Sequence, residues 1–256
     1  MNLPSSFRLL AALLFLTAST QAQDNRYDLL GRMLMPIVNV FAKNTSNPNR
    51  ALSCTLKLEQ MTDLPAALVG SQAELAVEYP DKMRLRAPIL GEDITVCRHG
   101  EELWTYPGSK VEAVLKAAAE QKKLPKLNSK FRLEPFSLPI PEKELVFLPT
   151  LFQAKDVGSE PLDGVTCRVI DIYLMPELAR ALKAQGWGAR VWIQPDAKPA
   201  RISVAKPGWM AVVHFDQLQF APKLPESTWE PTSEQAADVL KLDPARFQQL
   251  LGAIVK

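Results

Sequence analysis

From Ala51 onward the chain alternates with a period of two. Leu52, Cys54, Leu56 and Leu58 occupy one phase, and Ser53, Thr55, Lys57 and Glu59 the other. Successive side chains of a strand point to opposite faces, so this pattern specifies a strand that is apolar on one side only. Two more runs of the same kind follow. Ala73, Leu75, Val77 and Tyr79 alternate with Glu74 and Glu78; after a break at Pro80-Asp81, Met83 and Leu85 alternate with Lys82, Arg84 and Arg86. Asp93 to Arg98, a turn at His99-Gly100 and Glu102 to Tyr106 complete a meander of hairpins. Such a series, with one solvated face, implies an antiparallel sheet. Its apolar face must be covered, and the rest of the chain has to supply the cover.

Helical spacing runs over Asp24–Lys43, where Leu29, Leu30, Met33, Ile37, Val40 and Phe41 recur on one side and Pro36 is expected to kink the axis. Ser109–Lys123 is Ala-rich, with Ser109 as a cap, and predicts a second helix. Residues 124–141 are Pro-studded, with a short strand expected at Phe131–Leu133, and Leu145–Gln153 is expected to be a short helix. In the second half, Val165–Leu174 reads as a strand apolar on both faces. Pro176–Gln185 reads as a helix stopped by Gly186, followed by strands at Arg190–Gln194, Arg201–Ala205 and Met210–Phe220. The tail Ser233–Val255 reads as helix, break and helix, with Thr232 or Ser233 as one cap and Asp243-Pro244 starting the last helix. The expected fold is α+β: a curved antiparallel half-barrel sheet of about eight or nine strands, with helices 24–43, 109–123 and 145–153 covering its concave face.

The first 22 residues predict a cleavable export signal. Arg8 charges the start, Leu9–Thr17 is apolar, and small residues at Thr20 and Ala22 suit cleavage near Ala22. The apolar run is too short for a spanning helix, which needs about 20 residues. The expectation is a periplasmic chain that is not an integral membrane protein. It has a single domain over 23–256 with a helical tail from about 233. The formal charge of +2 is scattered among acidic residues, which excludes nucleic acid as a partner. Cys54, Cys97 and Cys167 would permit one disulfide in an oxidising compartment, and Cys97–Cys167 is the pair expected; the alternative is three small buried hydrophobes.

Catalytic patterns are missing from the sequence: there is no Gly-rich phosphate loop, HExxH or GxSxG, so neither an enzyme nor a cofactor is expected. The two histidines, His99 in a turn and His214 in a strand paired with Asp216 or water, read as structural, and no metal site is expected. Glu92/Asp93 and Glu101/Glu102 are adjacent on strands and face opposite ways. Trp104 and Tyr106 share one face of their strand and Leu103 takes the other.

The segment Ala73–Lys110 resembles the bacterial lipoprotein-carrier superfamily, which includes the periplasmic lipoprotein carrier and its outer-membrane lipoprotein receptor. The matching residues are Pro80, the run Met83-Arg84-Leu85-Arg86, the turn Gly100 and Leu103-Trp104-Thr105-Tyr106. Asp163-Gly164-Val165, Val191-Trp192-Ile193 before Pro199-Ala200-Arg201-Ile202, and Phe220-Ala221-Pro222 before Trp229-Glu230-Pro231 extend it. This closing pattern is nearer the family's uncharacterised exported members. The resemblance implies a half-closed barrel whose apolar hollow holds acyl chains. It also implies an Arg that locks the helical lid; here that position is Tyr79.

Together these readings predict a non-catalytic carrier for a hydrophobic ligand: an acyl chain, a lipid or a lipoprotein. Its hollow would be lined by Leu56, Leu58, Leu75, Val77, Met83, Leu85, Trp104 and Tyr106. The alternative is an envelope protein-interaction or stress-sensing module whose hollow is filled by its own side chains.

Overall fold

The computed structural model describes residues 26–43, 45–62, 68–89, 92–120, 132–137 and 147–254. The export signal over 1–22 lies outside them. Helix α1 runs over residues 26–41. It is followed by β1 (Ala51–Met61), β2 (Gln72–Glu78), β3 (Lys82–Ile89), β4 (Glu92–His99), β5 (Glu102–Tyr106) and α2 (Gly108–Glu120). Next come β6 (Phe152–Leu162), β7 (Val165–Leu174), α3 (Pro176–Ala181), β8 (Gly188–Ile193), β9 (Pro199–Lys206) and β10 (Trp209–Ala221). The chain closes with β11 (Leu240–Leu242) and α4 (Pro244–Ile254). The fold is α+β. Its strands form one open antiparallel sheet in the order β11-β5-β4-β3-β2-β1-β10-β9-β8-β7-β6.

Three expectations are corrected. Residues 132–135 carry no regular structure, so the strand at Phe131–Leu133 is not found in its described part. In place of the helix at Leu145–Gln153 there is only a 3-10 turn over Leu148–Leu151, which leads straight into β6. The tail holds a 3-10 turn at Gln235–Asp238 and then strand β11, not two helices. The caps do form. The Gln235 amide donates to Thr232 Oγ1 while Gln235 Oε1 accepts from the Thr232 amide, and the Arg246 amide donates to Asp243 Oδ1 ahead of α4.

By its contacts the chain forms two compact units. Among the described residues, the first comprises 26–35 and 147–208 and the second those from Pro36 to 137 and from Trp209 to 254. In the first unit, Leu30 and Met33 of α1 bury against Ala154, Ile170, Val191 and Ile193. The opposite face of the same strands packs Leu162, Cys167, Val169, Trp192 and Ala200. Strand β7 is apolar on both faces because each face has its own core.

In the second unit, Ile94, Val96 and Leu103 of β4 and β5 bury against Val111 and Leu115 of α2 and Phe247 and Leu250 of α4. On the same face, Leu52, Cys54 and Val77 bury against Val40 of α1 and Leu218 of β10. The other face holds Ala76, Cys97 and Trp104, sealed by Trp229 from the segment that follows β10. The face with the helices is called inner below, and the face under Trp229 outer.

Candidate functional site

The candidate site is the inner face of the second unit over β1, β2 and β3. Pairing fixes which side chains meet there. Leu52 stands opposite Val77 and Cys54 opposite Leu75; Val77 pairs with Met83 and Leu75 with Leu85. Six of the eight expected hollow residues therefore share this face by alternation: Leu56, Leu58, Leu75, Val77, Met83 and Leu85. Val77 is buried and the other five are half-buried. Phe41, Phe136 and Phe220 also pack here while partly exposed.

Trp104 and Tyr106 belong elsewhere. Met83 pairs with Arg98 and Arg98 with Leu103, so Leu103 carries the inner phase into β5. Trp104 pairs with Cys97 and packs on the outer face, donating from Nε1 to the Trp229 carbonyl at 3.0 Å. Tyr106 packs against the same outer cluster.

Two arginines hold the segments that cover the inner face. Arg98 is 4% exposed although it lies in the apolar phase of β4. Its Nη1 donates to the Glu134 carbonyl at 2.7 Å, Nη2 to the Leu133 carbonyl at 3.1 Å and Nε to the Gly100 carbonyl at 3.0 Å. Its guanidinium also lies 4.9 Å from the Phe136 ring centroid. Burial pulls its pKa down, and the nearby Asp81, Glu101 and Glu134 oppose that. The Phe136 amide completes the attachment by donating to the Pro80 carbonyl at 2.7 Å.

Arg50 secures α1. Its Nη1 donates to the Asn39 carbonyl in the last turn of that helix at 2.8 Å. The guanidinium lies 3.9 Å from the Tyr79 ring centroid, and the Tyr79 amide donates to the Arg50 carbonyl. Tyr79 is thus the platform on which the arginine just before β1 rests.

The three cysteines are free and buried, so the expected Cys97–Cys167 disulfide is not formed. Each thiol is enclosed in the core of its own unit, Cys97 beside Trp104 and Trp229 and Cys167 beside Val169 and Trp192. The Cys97 thiol donates to the Trp229 carbonyl at 3.3 Å. Burial pushes Cys97 up to about 12 and Cys54 up to about 11.

The histidines and paired carboxylates sit among ion pairs. His214 lies between Asp216, at 3.2 Å, and Glu59, at 3.7 Å. His99 Nε2 meets Glu226 Oε1 at 3.1 Å. Glu92 pairs with Lys110 and Asp93 with Arg86, on separate partners. No group of three or more metal-binding side chains occurs among the described residues. No helix among them is long and apolar enough to cross a membrane.

No family model matches the sequence, nor does any curated protein. Solved structures similar in fold include the MucA/MucB complex of Pseudomonas aeruginosa, at a TM-score of 0.44 and 14% identity, covering 82% of this chain and 62% of that one. This chain therefore spans about six-tenths of that structure's length. The lipoprotein LppX of Mycobacterium tuberculosis follows, at a TM-score of 0.41 and 12% identity, covering 76% of this chain and 95% of that one. A domain described as an outer-membrane lipoprotein-sorting protein from Vibrio parahaemolyticus has a TM-score of 0.29 and 12% identity, with 72% and 91% covered. Likenesses this distant say nothing of what this chain binds.

Proposed function

We propose that this chain is a non-catalytic carrier or binding protein that works outside the cytoplasm. Its ligand would be apolar, such as the acyl chain of a lipid or lipoprotein, held on the inner face over β1–β3. The observation that carries this reading is the way the face is covered. Leu56, Leu75, Met83, Leu85 and Phe136 are only half-buried. The segments above them are tied by guanidinium-to-carbonyl hydrogen bonds from Arg50 and Arg98.

Magnitudes favour an opening cover. A hydrogen bond from a charged group contributes about 1.5–3 kcal/mol, so releasing two of the three such bonds costs roughly 3–6 kcal/mol. Each buried methylene returns about 0.8 kcal/mol, so about four to eight methylenes offset the release. Long acyl chains should bind and short ones should not.

Protein isolated from an expressing periplasm, analysed by native mass spectrometry, tests the proposal directly. Bound lipid mass is expected, along with uptake of a long-chain fluorescent fatty acid that Met83→Glu weakens at least tenfold. Spectra that are always ligand-free, with no uptake of the probe, would overturn it.

A second reading, an envelope protein-interaction module with a self-filled hollow, has its own observation. Over β4 and β5 the inner face is filled by Val111, Leu115, Phe247 and Leu250 of α2 and α4. Ligand-free spectra together with a captured envelope protein would favour that reading.

A further inference from the structure

The outer face of the second unit carries a groove of about 320 Å³ where β1, β2, β3 and β10 run beside the end of the Trp229 segment. Its lining is about half polar. Ser53 and Thr55 contribute from β1, Gln217 and Gln219 from β10, Arg84 from β3, and Thr228 closes one end.

Two observations make this groove more than a crease. The first is Arg84. Three other sheet arginines have carboxylate partners, Arg86 with Glu74 and Asp93, Arg168 with Asp156 and Arg190 with Asp171, and a fourth, Arg98, has all of its donor nitrogens on backbone carbonyls. Arg84 is half-buried, and its one hydrogen bond among the described residues runs from Nη1 to the Thr228 carbonyl at 3.2 Å. No carboxylate among the described residues pairs with it, so most of its guanidinium fork is uncommitted. The one acidic residue of the groove, Glu74, is already engaged by Arg86.

The second is Gln217. Among the described residues four non-glycine residues have positive φ, and Gln217 (φ 52°) is the one inside a strand; Asp163, Lys183 and Ala197 lie in turns. It falls at a bulge, where the β1–β10 register shifts between Ser53 opposite Gln219 and Thr55 opposite Asp216. A bulge re-aims a side chain, and glycine is the residue that holds this conformation without strain. The strand carries instead a residue in the left-handed region that lines the groove, as Arg84 does. Strain kept at a polar cleft is characteristic of ligand sites.

We infer that this groove is a binding site for a small carboxylate bearing amide or hydroxyl groups. The guanidinium of Arg84 takes the carboxylate through its free donors. The carboxamides of Gln217 and Gln219 and the hydroxyls of Ser53 and Thr55 take the neighbouring amide or hydroxyl groups. A peptide C-terminus and a hydroxy acid share this chemistry. The site is separate from the inner face and does not depend on an acyl ligand there.

The test is an NMR titration of the full chain, isotope-labelled, with two carboxylate probes and their neutral forms. The probes are N-acetyl-alanyl-alanine against its C-terminal amide, and gluconate against glucose. Saturable shifts at Ser53, Thr55 and the Gln217 and Gln219 side-chain amides are expected with one carboxylate and not with its neutral form. The probe that saturates names the source. Gln217→Gly should fold at least as stably, because glycine suits the backbone, and should bind at least fivefold more weakly; Arg84→Gln should abolish binding. No saturation by either carboxylate, equal response to the neutral forms, or undiminished binding by both variants would overturn the assignment.

Discussion

Replacing Arg98 by Met should loosen one segment of the second unit without unfolding it. Met retains much of the stem's contact with the apolar inner face and loses every donor. Two of the three lost bonds hold residues 133 and 134. At the low end of about 1.5 kcal/mol for each charged bond, the segment loses roughly 3 kcal/mol of local attachment. That corresponds to about a 150-fold increase in its open population. Global stability should change much less, within about 1 kcal/mol, because removing a buried charge also removes its desolvation penalty. The Phe136 amide, bonded to the Pro80 carbonyl, is the natural reporter. Hydrogen exchange under native conditions reads its opening free energy, and urea unfolding reads the global value. Under the proposed function the variant should also take up the fluorescent fatty acid faster. Unchanged exchange at Phe136 beside a global loss above about 3 kcal/mol would refute the reasoning, because Arg98 would then be a pillar of the core and not a tether.

Other outcomes follow from the same geometry. With thiols at about 11 and about 12, Cys54 and Cys97 should alkylate roughly 90-fold and 900-fold more slowly at pH 8 than a thiol of pKa 9; intact mass after labelling the native protein checks both this and the absence of a disulfide. The hydrogen bond from Lys82 holds Glu226 below the usual carboxylate range. This pair therefore adds stability above the ordinary carboxylate pKa and loses it as pH falls through the lowered value. Thermal unfolding of the native chain against Glu226→Gln should show a gap near neutrality that closes in acid. Gly108→Ala should destabilise by about 1–3 kcal/mol in urea although helix propensity alone favours Ala, because the added Cβ would stand 2.7 Å from the Leu240 nitrogen and 2.9 Å from the Asp238 carbonyl oxygen.

What could be read from the sequence was what alternation encodes. Strands β1 to β5 carry clean period-two patterns and stand where expected. Strand β6 was missed because its sequence, FQAKDVGSEPL, has Gly158 and Pro161 and no sustained apolar phase. As the edge strand of its sheet it is defined by β7 on one side only. The three residues of β11 have no local signal and exist by pairing with Leu103–Thr105. The misplacement of Trp104 and Tyr106 has a different cause. Alternation says which residues share a face of one strand, but not which phase continues across a hairpin. Register decides that, through Arg98 opposite Leu103. The same logic shows how Arg98 could have been noticed: it is a charge in the apolar phase after Ile94 and Val96. Arg50 offered no such mark, since it sits one residue before the alternation begins.

The two faces of the second unit's sheet are closed by different physics, and this decides which one can open. On the outer face Trp229 is 1% exposed and its carbonyl accepts from both Trp104 and Cys97. Releasing it would expose a whole indole, which by analogy with Trp truncation costs about 3–5 kcal/mol before any ion pair is counted. Lys82, Glu226 and His99 add their pairing at the same segment. On the inner face the segment around residues 133–136 is held by guanidinium bonds from Arg98 to backbone carbonyls, above half-buried side chains. Releasing two of those bonds costs a comparable amount, roughly 3–6 kcal/mol, but an acyl chain that replaces the cover returns it by burying methylenes on the apolar face, whereas nothing returns the cost of exposing Trp229. The outer segment should therefore stay closed while the inner cover exchanges. Comparing amide exchange at Trp229 and Phe136 in one sample checks the ordering, and faster opening at Trp229 would reverse the assignment of the mobile face.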